Sequence, residues 1–482
     1  MVEAKFITRK AAEPRATSRF SALRENRALI TLYVLLVAVF AMGNGARDDI
    51  ASLPLLRPLA VVCLGIGLYG MTRETWRTFR LPLGIMLAIL VYILLHLIPL
   101  PPAIWMAIPG RELAVEAGEA VGTAQPWRPL SLVPYRGWNA FFAMLVPAAG
   151  MVLASQIALR QHRGLVYLVI GFAILSAVWG VIQAVGGFRP SLYFYAVTNS
   201  GVPNGLFANR NHHAALLVMS FPMLALVASR AQGAGRRVWQ IGSALLGMVL
   251  LLLTLATGSR GAIVFTLVSL AASVAIARSG PSAFQRRRGA TRNFTLYFVA
   301  ALGLVAIVCF AIITAQAESV DRLLASDSVE EGRPIVWSSL LSLIPAYFPL
   351  GSGVGSFVEV FQISEPATLL ALNYWNHAHN DWLEWALEGG IPAIALMAFV
   401  IAAFAFQTLR LLRQEHGGRF EYQLGLLGSA VILILGLWSA VDYPLRVPSL
   451  SCLAALAGIW MMLPKHGASK RSGEERDRAA RE

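Results

Sequence analysis

The stretch SALLGMVLLLLTLATGSRGAIVFTLVSLAASVAIA, Ser243–Ala277, carries a single charged residue, Arg260. It is two apolar runs that meet with almost no loop between them. Buried in hydrocarbon, a backbone must satisfy every N–H and C=O internally, so runs of this kind are membrane-spanning α-helices. Arg260 then sits at the rim of a tight turn between two spans. Gly258 and Gly261 beside it let a bulky group approach the backbone. A lone interfacial arginine also snorkels to lipid headgroups, and the stretch by itself leaves both readings open.

The same pattern recurs outward in both directions. Apolar runs fall at about 28–42, 58–72, 81–100, 138–157, 165–185, 213–229, 238–257, 261–277, 293–314, 386–407, 423–441 and 447–464, which predicts twelve spans. Of the 482 residues 57% are hydrophobic and 14% charged, against roughly 25% charged in an ordinary soluble domain. Mean hydropathy is +0.62. These values exclude a soluble globular protein and a disordered one. The long runs also exclude an outer-membrane barrel, whose strands are short and alternate. The fold expected is an all-α integral membrane protein: a tail at 1–27, a polytopic domain at 28–464 and a tail at 465–482. The first run, preceded by a long basic segment and followed by eleven more, reads as a retained helix rather than a signal peptide.

The net charge of +14 is divided by the membrane. With twelve spans both termini share one side, and that side holds 29 of the 40 Lys and Arg, for a net +19 against −5 opposite. The positive-inside rule makes the basic side cytoplasmic. The basic patch at Gln285–Arg292 reads as a juxtamembrane anchor for anionic lipid, not as a nucleic-acid site. Cys63, Cys309 and Cys452 lie dispersed inside apolar runs and read as small buried side chains, with no disulfide or metal framework.

The opposite face has the long loops, 101–137, 186–212 and 315–385. Within the last, PIVWSSLLSLIPAYF, Pro334–Phe348, reads as an amphipathic helix near the surface. Charged and histidine side chains cluster at the ends of spans on this face rather than at the midplane, unlike an ion-driven transporter. Arg210 lies in FANRNHHA just before a helix, where a guanidinium and free backbone N–H groups together suit phosphate oxygens. Arg260 forms the second cluster.

The third cluster is NHAHNDWLEWALEGGIPA, Asn376–Ala393. His377 or His379 suits a general base. Asp381 and Glu384 suit orienting it or binding sugar hydroxyls. If the segment is already helical, the two histidines point about 200° apart and cannot serve one site. A metal site is the rival, but no HExxH or third spaced ligand is present. In VDYPLRVP, Val441–Pro448, Asp442 and Arg446 form either a local ion pair or a second cation for the same pocket. GSGVGS, Gly351–Ser356, lacks a preceding parallel strand and reads as a tight turn rather than a nucleotide loop. Two or more arginines near a base suggest one chemistry: a lipid diphosphate is held as leaving group while an acceptor hydroxyl is activated.

Taken with PLSLVPYRGW, RPIVWSS (beginning at Arg333) and PLGSGVGSF, these clusters resemble, in their order along the chain, the O-antigen ligase/polymerase family of bacterial inner-membrane proteins. The resemblance implies glycan transfer at the periplasmic face from an undecaprenyl-diphosphate-linked glycan to a second lipid-linked glycan or to lipid A–core. It implies no cofactor and no metal, with membrane lipid and other polysaccharide-assembly proteins as partners. The family core would span about 165–407. Its essential arginines would fall on Arg210 and Arg260, and its histidine on His379, followed by Asn380. Ala393 stands where the family often has a second glycine. The FANRNHH form is closer to exopolysaccharide or capsule polymerases than to dedicated ligases. A lipid-linked oligosaccharide flippase also suits twelve spans, but unequal loops and the lack of repeated halves argue against it.

Overall fold

The structure is a computed structural model that describes residues 17–281, 328–370, 374–414 and 418–479. Among these residues the chain is an α-helical membrane protein. Nine helices are long and apolar enough to span: Arg24–Met42, Leu53–Gly70, Pro134–Ala154, Leu159–Val185, Arg210–Arg230, Arg236–Ala256, Arg260–Arg278, Asp381–Leu412 and Phe420–Trp438. Two shorter apolar helices, Arg80–Leu95 and Pro448–Leu463, fall on two further expected spans. The expected span 293–314, the basic patch Gln285–Arg292 and Cys309 lie outside the described residues. The only strands among them are Pro99–Leu100 and Arg128–Pro129, paired antiparallel in the 101–137 region.

Helix Arg210–Arg230 is the centre of the bundle, with 83% of its apolar window buried. It is surrounded by helices Arg260–Arg278, Arg236–Ala256, Phe420–Trp438 and His162–Val185. Ser269 donates from Oγ to the Val218 carbonyl at 2.6 Å, a polar link between neighbouring helices that lipid cannot supply. Helix Phe420–Trp438 packs along the helix starting at Pro448 so closely that a Cβ on Gly428 would meet the Ala457 carbonyl oxygen at 2.5 Å. Small residues permit such approach between membrane helices.

Above one end of the bundle sits a second apolar core. It is built from helix Ser328–Leu343, the short turn Ile344–Tyr347, helix Phe357–Ile363 and the first turns of helix Asp381–Leu412. Val336, Leu340 and Ile344 recur every four residues and are buried, so the expected amphipathic helix is present and spends its apolar face on this cap. The glycine stretch 351–356 is a turn, as its sequence suggested. Gly351, Gly353 and Gly355 take φ of +82°, +102° and +86°. A Cβ on Gly353 would lie 2.1 Å from the Ser131 Cα, so only glycine brings these backbones together.

Helix Asp381–Leu412 is broken at Gly390, with φ +58° and ψ −149°. There the Ile391 N–H donates to the Pro349 carbonyl at 2.9 Å. The part beyond the break, Ile391–Leu412, is about 33 Å long at 1.5 Å per residue, enough to cross the hydrocarbon. The part before it carries Asp381, Glu384 and Glu388 into the capping region.

Candidate functional site

Three helices begin at this end with a side-chain cap. Asn209 accepts from the Asn211 N–H at 2.7 Å, Ser259 from the Ala262 N–H at 3.4 Å, and Asn380 from the Leu383 N–H at 3.1 Å. Each cap satisfies an orphan donor of a helix N-terminus. Arg210 and Arg260 are the first residues of the first two helices. Arg210 is half-buried and Arg260 is exposed. A Cβ on Gly258, which has φ +66°, would lie 3.8 Å from the Arg210 Nη1. The guanidinium of the first cluster thus rests against the turn that carries Arg260.

Asp442, fully buried, joins the central helix to the turn that follows helix Phe420–Trp438. Its Oδ2 accepts from the Asn211 Nδ2 at 2.6 Å, and its Oδ1 lies 3.7 Å from the His212 Nε2. Arg333 approaches the same carboxylate at 3.7 Å and donates to the Val441 carbonyl at 2.9 Å. Burial alone would raise this carboxyl, but contact with His212 and the charges of Arg333 and His212 hold it well below the usual carboxylate range.

Arg446 takes different partners, so the local Asp442–Arg446 pair is not the arrangement found. Its Nε meets Asp381 Oδ1 at 3.0 Å, and its Nη2 meets Glu384 Oε1 at 3.0 Å and Glu388 Oε2 at 4.0 Å. Ser439 adds a hydrogen bond from Oγ to Asp381 Oδ2 at 3.1 Å. Burial alone would lower the guanidinium; Glu384, Glu388 and Asp381 outweigh it and push it up.

The histidine segment is not helical, because the helix begins only after its cap, Asn380. His379 takes φ +52°, rare for a residue with a Cβ. The helical-phase argument against the two rings sharing one site therefore does not apply. Both lie against Tyr443, with centroids at 4.6 Å for His377 and 4.8 Å for His379, and His212 adds a third ring at 5.0 Å. The His377 Nδ1 is 3.0 Å from Glu384 Oε1, and the Ala378 N–H donates to Glu384 Oε2 at 2.8 Å. The His379 Nδ1 is 3.1 Å from the His377 carbonyl oxygen. A carbonyl only accepts, so Nδ1 carries the proton and Nε2 keeps its lone pair. Burial, partly offset by Asp442, lowers His379 to about 3. Burial, reinforced by Arg446, lowers His377 well below its ordinary value. Both rings are neutral near pH 7.

The expected residues thus form two groups that meet at Tyr443. Arg210, Arg333 and Asp442 gather around the start of the central helix, with Arg260 on the adjoining turn. His377, Asp381, Glu384 and Arg446 form one network, and His379 hangs from its backbone. Asn380 is a helix cap. Glu388 and Tyr443 were not singled out from sequence; Tyr443 stands between Asp442 and Arg446, which was the available signal. Among the described residues no three His, Cys, Asp or Glu converge as a metal-ligand set.

Residues 244–398 match a family model described as O-antigen ligase. The match takes in Arg260, Arg333, His377, His379, Asp381 and Glu384, whereas Arg210, Asp442, Tyr443 and Arg446 lie outside it. A search of curated proteins returns no match to the chain.

Proposed function

We propose, for a chain whose residues 244–398 match the O-antigen ligase family model, glycan transfer at the periplasmic face of the bacterial inner membrane. The donor is an undecaprenyl-diphosphate-linked glycan. The acceptor is a second lipid-linked glycan, so the reaction extends a surface polysaccharide. The charge asymmetry of the loops supports the orientation, with both termini cytoplasmic.

The observation that carries the reading is the meeting of two helix N-termini that each begin with arginine, against a neutral, backbone-held histidine at the same end of the bundle. Arg210 and Arg260 hold the diphosphate, each matching its oxygens with a fork of donors. The helix starts add N–H dipoles to the same anion. The acceptor hydroxyl gives its proton to the His379 Nε2 as its oxygen bonds to the anomeric carbon; burial makes this ring a weak base in the empty site, and the negative charge of the bound diphosphate raises its basicity. The bond from that carbon to the phosphate oxygen breaks, and undecaprenyl diphosphate leaves with the electron pair. The arginines stabilise the charge that develops on it, without a metal. His377, Asp381, Glu384 and Arg446 hold the histidine turn, while Asp442 and Arg333 brace the start of the central helix.

The test is transfer by purified protein in nanodiscs, using lipid-linked oligosaccharide extracted from a strain lacking this gene. Arg210→Lys and Arg260→Lys keep the charge and lose the fork, and each is expected to lose most activity. His379→Ala abolishes transfer while insertion is retained. Full activity in His379→Ala, or loss in EDTA restored by a divalent cation, overturns the assignment. Gene deletion is expected to leave single lipid-linked repeats. Full-length polymer still on undecaprenyl diphosphate would instead make the protein a ligase to lipid A–core.

A further inference from the structure

Arg57 stands in the second turn of helix Leu53–Gly70, at the end of the bundle that carries the cap. Its Nη2 donates to the Asn139 Oδ1 on the neighbouring helix Pro134–Ala154. Its Nε is buried and makes no hydrogen bond. Among the described residues no carboxylate pairs with it: Asp48, in the loop before the helix, is taken by Arg136 at 3.0 Å, as is Glu359 of the cap at 2.6 Å. A half-buried cation at the edge of hydrocarbon is costly until an anion neutralises it. Here that anion must come from outside the described chain.

The surface beside Arg57 has an order. Tyr135, Trp138 and Phe142, spaced by three and four residues, form one exposed stripe down helix Pro134–Ala154. Tyr135 donates to Glu359 Oε1 at 2.6 Å, so the top of the stripe belongs to the cap. Trp138, Phe141 and Phe142 lie together with centroids 5.6 to 6.1 Å apart. On the facing helix Val61 and Gly65, one and two turns beyond Arg57, are exposed, and a Cβ on Gly65 would meet nothing within 4 Å. From the cap inward the order is a polar rim, a cation, then aromatic and apolar surface, spread over about 11 Å from Tyr135 to Phe142. A lipid-linked glycan has the same order: sugar, diphosphate, polyprenyl chain. The loop 43–52 joins this surface to the arginine side of the site, because the Ala208 N–H, two residues before Arg210, donates to the Asn44 carbonyl at 3.1 Å.

We propose that Arg57 binds the diphosphate of the acceptor lipid, with the polyprenyl chain lying along Val61, Trp138 and Phe142. The inference rests on the function proposed above, in which both substrates are lipid-linked, and it supplies the second anion site which that reaction needs. The donor diphosphate stays on Arg210 and Arg260. The two lipids thereby approach on different helices, and their like charges are held apart.

The experiment is native mass spectrometry of the full-length protein with undecaprenyl diphosphate as probe. Wild type is expected to bind two molecules. Arg57→Gln, which keeps an amide for Asn139, should bind one, and so should the Arg210→Gln, Arg260→Gln double variant. Phe142→Ala leaves the cation in place and should weaken the second binding event several-fold, which carries the test should Arg57→Gln fail to fold. In nanodiscs, wild type should prefer a lipid-linked acceptor at least tenfold over an alkyl glycoside of the same repeat unit, which has no phosphate, and Arg57→Gln should erase that preference. The site is overturned if Arg57→Gln binds as many molecules as wild type or keeps the preference. It is also overturned if an equal concentration of phosphatidylglycerol displaces the second molecule, since Arg57 would then anchor bulk headgroups. Full transfer activity in Arg210→Lys and His379→Ala would instead overturn the functional reading itself, so the two failures are distinguishable.

Discussion

Replacing Arg446 with methionine isolates one buried charge. Its guanidinium serves Asp381 and Glu384 at 3.0 Å each and Glu388 at 4.0 Å. These carboxylates are only 7%, 1% and 3% exposed. Methionine preserves most of the aliphatic stem, so packing is largely kept. What is lost is the cation that three buried acids share. Breaking a buried pair by removing one partner costs about 3–5 kcal/mol. At about 2–4 °C per kcal/mol for a larger domain, the thermal midpoint should fall by roughly 10 °C. The assay is tryptophan-fluorescence melting of the detergent-solubilised protein. Adding Glu384→Gln to Arg446→Met removes one unpaired acid and should recover part of the loss, with a coupling above about 1 kcal/mol. An Arg446→Met midpoint within a degree or two of wild type, with no coupling to Glu384→Gln, would refute the idea that this arginine holds the acidic half-helix together.

Acidification should act against the buried histidines. His379 is held neutral to about 3 and titrates near 6.5 when unfolded. Between those values the unfolded chain binds more protons, so this ring's contribution to stability rises with pH up to about 6.5 and is flat above. It should cost about 2 kcal/mol between pH 7 and pH 5 at 1.36 kcal/mol per unit, and His377 acts in the same direction, while Glu388, which burial raises to about 7, acts the opposite way; a pH 7-to-5 change in midpoint that is the same in His379→Ala as in wild type contradicts this. Gly353→Ala should lower stability by about 3 kcal/mol, from left-handed strain and a backbone clash. Gly122→Ala, at φ +64° with open space around it, should cost only about 1–2 kcal/mol; equal losses in melting experiments would show that the Ser131 contact is unimportant. Ala120→Cys and Ser200→Cys should react with an impermeant maleimide added to spheroplasts, and Gly235→Cys should not. Labelling at 235 would reverse the orientation.

The spans were legible because lipid leaves a backbone few options, and eleven of the twelve expected runs coincide with described apolar helices. The positions of Arg210 and Arg260 at helix starts were legible for the same reason: a charge at the edge of a long apolar run is conspicuous. The partners of Arg446 were not. Sequence proximity suggested Asp442, four residues away, whereas the acids come from a helix start 65 residues back in the chain. A break at Gly390 carries that half-helix into the cap, and two adjacent glycines before a proline hint at a break without saying where it leads. The histidine geometry was hidden by one local choice. Asn380 caps the helix, so residues 377–379 precede it, and a positive φ at His379 turns its ring toward Tyr443. Tyr443 itself, an aromatic at the end of a span, reads from sequence like an interfacial anchor.

The arrangement of acids bears on which arginines can meet a diphosphate. A phosphate brought to Arg446 would face Asp381, Glu384 and Glu388 at once, and their repulsion would cancel the attraction of one guanidinium. Arg446 thus spends its charge on Asp381, Glu384 and Glu388. Arg333 shares its charge with Asp442, whose carboxylate is already met by Asn211 and His212. Asp381, Glu384 and Glu388 gather around Arg446, Asp442 is met by Asn211, His212 and Arg333, and the guanidinium of Arg210 rests against the turn that carries Arg260. Tyr443 stands between the two networks, its ring against His377 and His379 and its N–H on Asp442.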